Sequence, residues 1–152
     1  MKKIFLTIMI VFSVSIVYGQ WQWAKQIGGG GTDVVQAYEQ GTNIFVSGYF
    51  QSVSFHLDSD IFSPNGYNDM FLAKYDMTCT NRVWYKQFGG NNSSSQHESG
   101  AIGLVTATAI YYYGEFAGTM NIDGISVTNF GGTDAYISKF DLNGVCQWIK
   151  HA

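Results

Sequence analysis

The segment Trp23-Ala-Lys25-Gln-Ile27-Gly28-Gly29 returns 61 residues later as Trp84-Tyr-Lys86-Gln-Phe88-Gly89-Gly90. We call it the Trp-Lys phrase. The phrase begins a third time at Trp148-Ile-Lys150, two residues before the sequence ends. Self-similarity at a nearly fixed period is typical of solenoids, propellers and other arrays. The sequence therefore predicts an array of one supersecondary unit.

Further positions recur in the same order after each phrase. Asn43–Phe50 in the first copy matches Ala109–Phe116 in the second, and Asp69–Asp76 matches Asp134–Asp141. Matching positions that keep their order, with only 61 to 66 residues between the two copies, are not expected by chance. The repeated positions are Trp23, Trp84 and Trp148, Gly28, Gly29, Gly89 and Gly90, Gly48 and Gly114, Asp69 and Asp134, Lys74 and Lys139, and Asp76 and Asp141.

The composition predicts strands and not helices. Aromatic residues make up 16 % of the chain, and short aromatic and β-branched runs bounded by Gly, Asn, Asp and Ser are typical of strands. Four strands per unit are predicted, near Trp23–Ile27, Val34–Glu39, Asn43–Phe50 and Met70–Tyr75 in the first and Val83–Phe88, Ile102–Thr106, Ala109–Phe116 and Ala135–Phe140 in the second. Short extra strands are predicted at Ser52–Leu57 and Thr119–Ile122.

Four antiparallel strands repeated at a constant period describe the blades of a β-propeller. Because the usual blade repeats are about 40–50 residues long, we assign the surplus to two connections, Asp58–Asn68 and Asn91–Ser99. The pattern Trp-x-Lys-x-x-Gly-Gly, Asn-x-x-Val-x-Gly-x-Phe and Asp-x-Phe-x-x-Lys-Tyr-Asp resembles the SBBP, or seven-bladed β-propeller, repeat of secreted bacterial proteins. The resemblance covers Trp21 to Ala152, and the second copy departs from it at Glu115 and at Ser93–Ser99. It implies an architecture and no particular activity.

The expected organisation is about two blades plus the start of a third. Residues 1–19 form a signal peptide, residues 20–83 and 84–147 form two blade-like repeats, and residues 148–152 begin a third. A propeller needs about four to eight blades. We therefore expect the chain to be a fragment of a larger propeller, completed by further blades of the same chain, with closure by self-association as the alternative. The family resemblance implies a sorting or adhesion domain downstream.

The N-terminus predicts export. Lys2 and Lys3 precede an apolar run from Ile4 to Val17. Small residues at the end of Val17-Tyr18-Gly19 suit cleavage after Gly19, and this is the pattern of a secretory signal peptide. Fourteen residues are too few for a transmembrane anchor, which needs about 20. The localisation expected is periplasmic, cell-surface or extracellular. Without the signal the chain carries six basic and eleven acidic side chains, so nucleic acid is not an expected partner.

No catalytic, cofactor or metal site is expected. The histidines His56, His97 and His151 are too scattered for zinc spacing, and no Gly-x-Ser-x-Gly elbow occurs. Asp58 and Asp60 could begin a calcium loop, but the rest of that loop does not follow, and a turn is the better account. The expectation is therefore a protein that is not an enzyme.

Repetition favours structural roles for the recurring residues, because a single active site needs each catalytic role only once. The repeated aspartates are expected to accept hydrogen bonds from the backbone N–H groups that follow them and so to fix turns. The repeated tryptophans are expected to pack between strands. Lys25, Lys86 and Lys150 are expected to pack their stems on aromatic surface and hold their ammonium groups in solvent.

Cys79 and Cys146 fall in corresponding turns of the two copies. Export permits oxidation. Equivalent turns of neighbouring blades are usually too far apart for a disulfide, so a Cys79–Cys146 bond is the less favoured reading, and bonds to partners beyond Ala152 stay open.

Three function classes remain open. The first is an exported non-catalytic repeat module that acts as a scaffold or an interaction surface for an unknown protein. The second is a carbohydrate- or peptide-binding propeller that stacks ligands on non-repeated aromatic residues, for which the candidates are Trp21, Tyr49, Tyr67 and Tyr112. The third and least favoured is a fragment of a propeller hydrolase or lyase.

Overall fold

The computed structural model describes residues 24–90 and 98–152, and the regular structure within these ranges is entirely β-strand. The all-β prediction is confirmed. The strands are β1 (Ile27–Gly28), β2 (Asp33–Gln40), β3 (Asn43–Phe50), β4 (Phe55–Leu57), β5 (Asp60–Phe62), β6 (Asp69–Asp76), β7 (Arg82–Phe88), β8 (Ser99–Val105), β9 (Ile110–Phe116), β10 (Thr119–Ile122), β11 (Ile125–Thr128), β12 (Asp134–Phe140) and β13 (Cys146–His151).

Two four-stranded antiparallel sheets dominate these residues. The first sheet has the order β2-β3-β6-β7, and the second has the order β8-β9-β12-β13. Each sheet carries a small hairpin inserted between its second and third strands, β4–β5 in the first and β10–β11 in the second. We call each sheet with its hairpin the first unit and the second unit. The two units share one topology, as the internal repeat predicts.

The Trp-Lys phrase ends a sheet and does not begin one. Strand β7, which contains Trp84, pairs with β6 and therefore belongs to the first sheet. A short turn explains this pairing, because consecutive strands joined by few residues lie side by side. Trp148 likewise lies in β13, the fourth strand of the second sheet. The sheets are thus out of phase with units counted from the phrase, and Trp23 lies outside the described residues.

The hairpins contain strands that the sequence patterns do not predict. Asp60–Phe62 lies in a stretch predicted to be a loop, and Ile125–Thr128 was assigned to no element. Both pair with the predicted extra strand that precedes them. The second hairpin turns at Asp123 and Gly124, whose φ values of 54° and 83° are typical of a tight two-residue turn. Strands of three or four residues are too short for an alternation pattern to be distinctive.

The two sheets pack face to face through a shared core. From the first sheet it includes Phe45, Leu72 and Phe88, and from the second Tyr112 and Phe140, all buried. The hydroxyl group of Tyr112 crosses the interface and donates to the carbonyl oxygen of Gly48 at 2.8 Å. Alternation along strands explains the layering, because successive side chains point to opposite faces.

The other face of the first sheet is covered by its own hairpin. A second cluster of buried residues joins Phe50 and Phe71 of the sheet to Phe55 and Leu57 of β4. The rings of Phe50 and Phe55 stack with centroids 4.3 Å apart. Aromatic pairs of this kind add to the free energy gained from burial. The hairpin therefore covers the part of this face around Phe50 and Phe71.

Candidate functional site

Trp84 connects the two units. It belongs to the first sheet, yet its indole Nε1 donates to the carbonyl oxygen of Leu142, at 3.2 Å, in the turn between β12 and β13. Its ring lies so close to Gly144 that a Cβ at Gly144 would sit 3.1 Å from the ring carbons. Strand β7 thus reaches the next unit with its first aromatic side chain.

Lys86 and the two glycines of the phrase extend this connection. The ammonium group of Lys86 pairs with Asp123 in the turn of the second hairpin. Gly89 forms an isolated bridge with Asn121 of that hairpin, and the N–H of Gly90 donates to Glu98 at 2.8 Å. These residues therefore contact three parts of the second unit. We call Trp84, Lys86, Gly89 and Gly90, with these contacts, the inter-unit clamp.

The carboxyl group of Asp123 is held ionised by its neighbours. Burial alone would raise its pKa, but the N–H of Cys146, which donates to Asp123 Oδ2 at 2.8 Å, and the charge of Lys86 lower the pKa overall. Its side chain is only 33 % exposed. The lysine is thus held by an ionised partner, and the expectation that its ammonium group lies in solvent is wrong.

The described residues Lys25, Gly28 and Gly29 of the first copy contact the first unit as Lys86, Gly89 and Gly90 contact the second. Lys25 pairs with Asp58 and donates to the carbonyl oxygen of Cys79 at 2.9 Å. Gly28 pairs with His56 of β4, and the N–H of Gly29 donates to Asp33 at 2.7 Å. The solvent-facing ammonium expected for Lys25 is therefore also wrong. Of the three lysines, only Lys150 is exposed.

Sequence reasoning missed the acceptors of the clamp. Asp58 and Asp123 are 65 residues apart, as are Asp33 and Glu98, so each pair obeys the repeat. The 65-residue spacing could have identified both pairs. The first pair is hard to recognise because the sequence around Asp58 predicts the start of a loop. The second is hard to recognise because an aspartate in one copy is a glutamate in the other.

Asp69 and Asp134 fix the connection that leads into the third strand of each sheet. Their carboxylates accept from the N–H groups of residues four positions earlier, Asn65 at 3.2 Å and Phe130 at 2.9 Å. These donor N–H groups precede the aspartates in the sequence, whereas the expected donors follow them. The remaining partner differs between copies, because Asp69 also binds the amide of Gln87 whereas Asp134 contacts His151 Nδ1 at 3.2 Å.

Asp69 carries a buried oxygen, Oδ1, that has no hydrogen-bond partner among the described residues. This oxygen and the carboxylate of Glu98 flank Gly89. Burial raises the pKa of Asp69, and its hydrogen bonds from Gln87 and Asn65 only partly oppose the shift. A carboxyl group whose native pKa is raised favours the native state less as pH rises above its unfolded value.

We expect Asp69→Asn to stabilise the chain by about 1–2 kcal/mol at pH 7, because an amide in place of Oδ1 removes an unsatisfied buried charge and can donate to Glu98. The gain should shrink towards pH 3, where Asp69 is protonated. Urea unfolding at both values of pH measures it. Asp134→Asn is the matched control and should not stabilise, since it weakens the contact with His151. Loss of stability in Asp69→Asn at pH 7 would contradict this account.

The remaining repeated positions have structural contacts. Asp141 accepts from the N–H groups of Asn143 and Val145, each at 2.9 Å, and Asp76 accepts from Thr78 and Thr80 in the matching turn. These hydrogen bonds lower the pKa of Asp76 to about 2. Lys74 lies with its ammonium group 5.7 Å from the centroid of the Phe45 ring. Such contacts use the repeated polar groups within the scaffold.

The second sheet presents one face that no described residue of another element covers. Its cross-strand rows are Tyr111, Lys139 and Trp148, and Tyr113, Ile137 and Lys150. We call these six residues the open face. The corresponding rows of the first sheet are Phe45, Lys74 and Trp84, and Ser47, Leu72 and Lys86. Leu72 is fully buried against the second unit, whereas Ile137 is 42 % and Tyr113 is 55 % exposed.

A cleft of about 420 Å³ lies between β2 and β8. Tyr49 and Tyr113 line it together with Gln36 and Glu115. Of the predicted ligand-stacking residues, Tyr49 is therefore in a cleft, and Tyr67 is 42 % exposed elsewhere. The ring of Tyr112 is fully buried between the sheets, which corrects its placement among surface candidates. Trp21 lies outside the described residues.

The two cysteines do not occupy equivalent positions. Cys79 has a φ of 53° and matches Gly144, at 81°, in the turn before the fourth strand. Cys146 is the first residue of β13 and matches Arg82 at the start of β7. Both thiols are buried and unpaired, and burial raises the pKa of Cys146 to about 11. The prediction of corresponding turns is therefore wrong.

The described residues contain no group of three or more His, Cys, Asp or Glu side chains placed to hold a metal ion. Asp58 and Asp60 instead contact Arg82 near the first hairpin. Within residues 24–90 and 98–152, no helix of the length and apolar character required to cross a membrane is present. The predicted signal peptide and His97 lie outside these ranges.

Comparisons of the chain with protein-family models, with curated proteins and with solved structures gave no match.

Proposed function

We propose that this chain is an exported, non-catalytic repeat module of the β-propeller type, in which each unit is a blade. Its units serve as a scaffold, and the open face serves as an interaction surface. The observation that carries the proposal is the clamp. Its repeated polar groups are engaged in contacts between units, while the matching groups of the third copy, Trp148 and Lys150, lie on the open face.

The chemistry of the open face supports a protein partner. Three of its six residues are tyrosine or tryptophan, and such residues contribute strongly to the binding energy of protein interfaces. Lys139 and Lys150 contribute positive charge. Contiguous exposed apolar surface next to charged groups is typical of interaction sites. The N-terminal signal pattern supports a location of this surface outside the cytoplasm.

A saccharide-binding role for the cleft is the second candidate. Tyr49 and Tyr113 provide aromatic rings, and Gln36 and Glu115 provide hydrogen-bonding groups. Of the described residues that line the cleft, only Glu115 is charged. Neutral or amino sugars therefore fit its charge better than acidic sugars do.

The two candidates are separated with the chain from Gln20 to Ala152. For the open face, Ile137→Ser should change the free energy of unfolding by less than about 1 kcal/mol and reduce the fluorescence of the apolar dye ANS, because Ile137 lies outside the cleft lining. Val53→Ser, at a residue 75 % exposed elsewhere, is the control and should leave the fluorescence unchanged. Loss of folding in Ile137→Ser would contradict an exposed interaction face. Glycan-array binding that Tyr49→Ala abolishes would favour the second candidate.

A further inference from the structure

We propose that the open face binds the first unit of a second copy of this chain, with Trp148 and Lys150 acting as Trp84 and Lys86 act within the chain. This inference rests on the proposed interaction role of the open face and names its partner. The result is head-to-tail association, since a different surface of each copy takes part.

The open face already holds Trp148 and Lys150 in the positions that the proposed contact requires. In the first sheet, Trp84 packs beside Phe45 with ring centroids 6.2 Å apart, and in the second, Trp148 packs beside Tyr111 at 6.3 Å. Lys86 and Lys150 each follow two residues later on the same face. The open face therefore carries the side chains of a clamp in the arrangement that the first sheet uses.

The acceptor side is present on the first unit. The second unit receives the clamp at Asp123 in its hairpin turn and at the turn carbonyl of Leu142. The matching groups of the first unit are Asp58 and the turn that contains Cys79. Val35, which belongs to the face of the first sheet that would meet a partner, is 40 % exposed. A second copy thus offers both the charge and the apolar surface that the open face fits.

Lys25 of the same chain already occupies this acceptor, so association requires an exchange. The segment that carries Lys25 belongs to neither four-stranded sheet, and only Ile27 and Gly28 within it pair with β4. Ala24 and Gln26 are exposed. Lys25, Gly28 and Gly29 hold the segment on the first unit through the contacts described above, and Lys150 of a second copy competes with Lys25 for the carboxylate of Asp58.

The test is sedimentation velocity of the chain from Gln20 to Ala152 across a range of concentrations. The unaltered chain should associate reversibly, and Trp148→Ala and Lys150→Glu should each weaken association by about tenfold or more. Gln147→Ala, at an exposed neighbour on the same strand, is the control and should change nothing. Lys25→Ala should strengthen association, because it removes the competing ammonium group from Asp58, which keeps Arg82 and Tyr75 as partners. Non-specific apolar contact would not produce this effect.

A chain that stays monomeric at every concentration, or association indifferent to Trp148 and Lys150, would overturn the inference. Weaker association in Lys25→Ala would also overturn the exchange. The proposed function is judged separately by ANS binding. A monomer whose open face still binds ANS shows that the partner is another protein, whereas a monomer that binds no ANS removes both proposals.

Discussion

Alanine at Gly48 or at Gly114 is expected to cost about 3 kcal/mol or more, because the added methyl group meets backbone and not a movable side chain. A Cβ at Gly48 would overlap the carbonyl oxygen of Val34, with the carbonyl carbon 2.8 Å away. At Gly114 it would overlap the carbonyl oxygen of Ser99 and lie 2.7 Å from the Cα of Gly100. The edge strand of each sheet would have to move away.

Urea unfolding measures this cost, and amide exchange should show which strand loosens. Amide protons of β2 should exchange faster in Gly48→Ala, and those of β8 in Gly114→Ala. Gly30→Ala is the matched control, since nothing lies within 4 Å of an added Cβ there, and its stability should be unchanged. A loss of stability below about 1 kcal/mol at Gly48 or Gly114 would show that the edge strands can move at little cost. That result would contradict a tight backbone contact at these glycines.

Trp84→Ala is expected to cost about 3 kcal/mol, whereas Trp148→Ala should cost about 1 kcal/mol or less. The two residues hold the same place in the repeat. Only Trp84 contacts a following unit, through Leu142 and Gly144. Among the described residues, Trp148 has a ring partner in Tyr111 and no hydrogen bond from its indole. The difference between the two losses therefore measures the contact between units.

Trp84→Phe refines this comparison, because it keeps an aromatic ring and removes the indole donor. Loss of the hydrogen bond to the carbonyl oxygen of Leu142 should lower the free energy of unfolding by about 1 kcal/mol, in addition to the loss from reduced packing. Denaturant unfolding monitored by far-UV circular dichroism avoids dependence on tryptophan fluorescence. Equal losses for Trp84→Ala and Trp148→Ala would mean that the indole contributes only within its own sheet.

The strands could be predicted from the sequence because alternation and period are local. Asn43–Phe50 and Thr119–Ile122 are strands with the predicted bounds. The phase of the sheets could not be predicted in the same way. A repeat gives the distance between equivalent residues, but it does not say whether Trp84 begins one sheet or ends another. The short turn that follows Asp76 decides that question, through the side-chain hydrogen bonds of Asp76 itself.

The clamp lay beyond sequence reasoning for a different reason. The ion pair of Lys86 with Asp123 joins residues 37 positions apart, and it forms only when the hairpin folds beside β7. Similarly, Cys79 and Cys146 look alike because each closely follows a repeated aspartate, although Cys79 is three residues after Asp76 and Cys146 is five residues after Asp141. Backbone conformation shows instead that Cys79 matches Gly144, because both residues have positive φ. Sequence spacing alone cannot distinguish an insertion in a turn from a change of residue.

The displacement of the sheets relative to the Trp-Lys phrase bears on how such a chain can lengthen. The copy of the phrase that contains Trp84 completes the first sheet and also supplies the groups that hold the second unit. A duplicated stretch of one period, wherever it is cut, therefore brings both a finished edge strand and the connector to its neighbour. Growth by copying then needs no newly evolved contact, and a modest drift in spacing can be absorbed by the connecting loops.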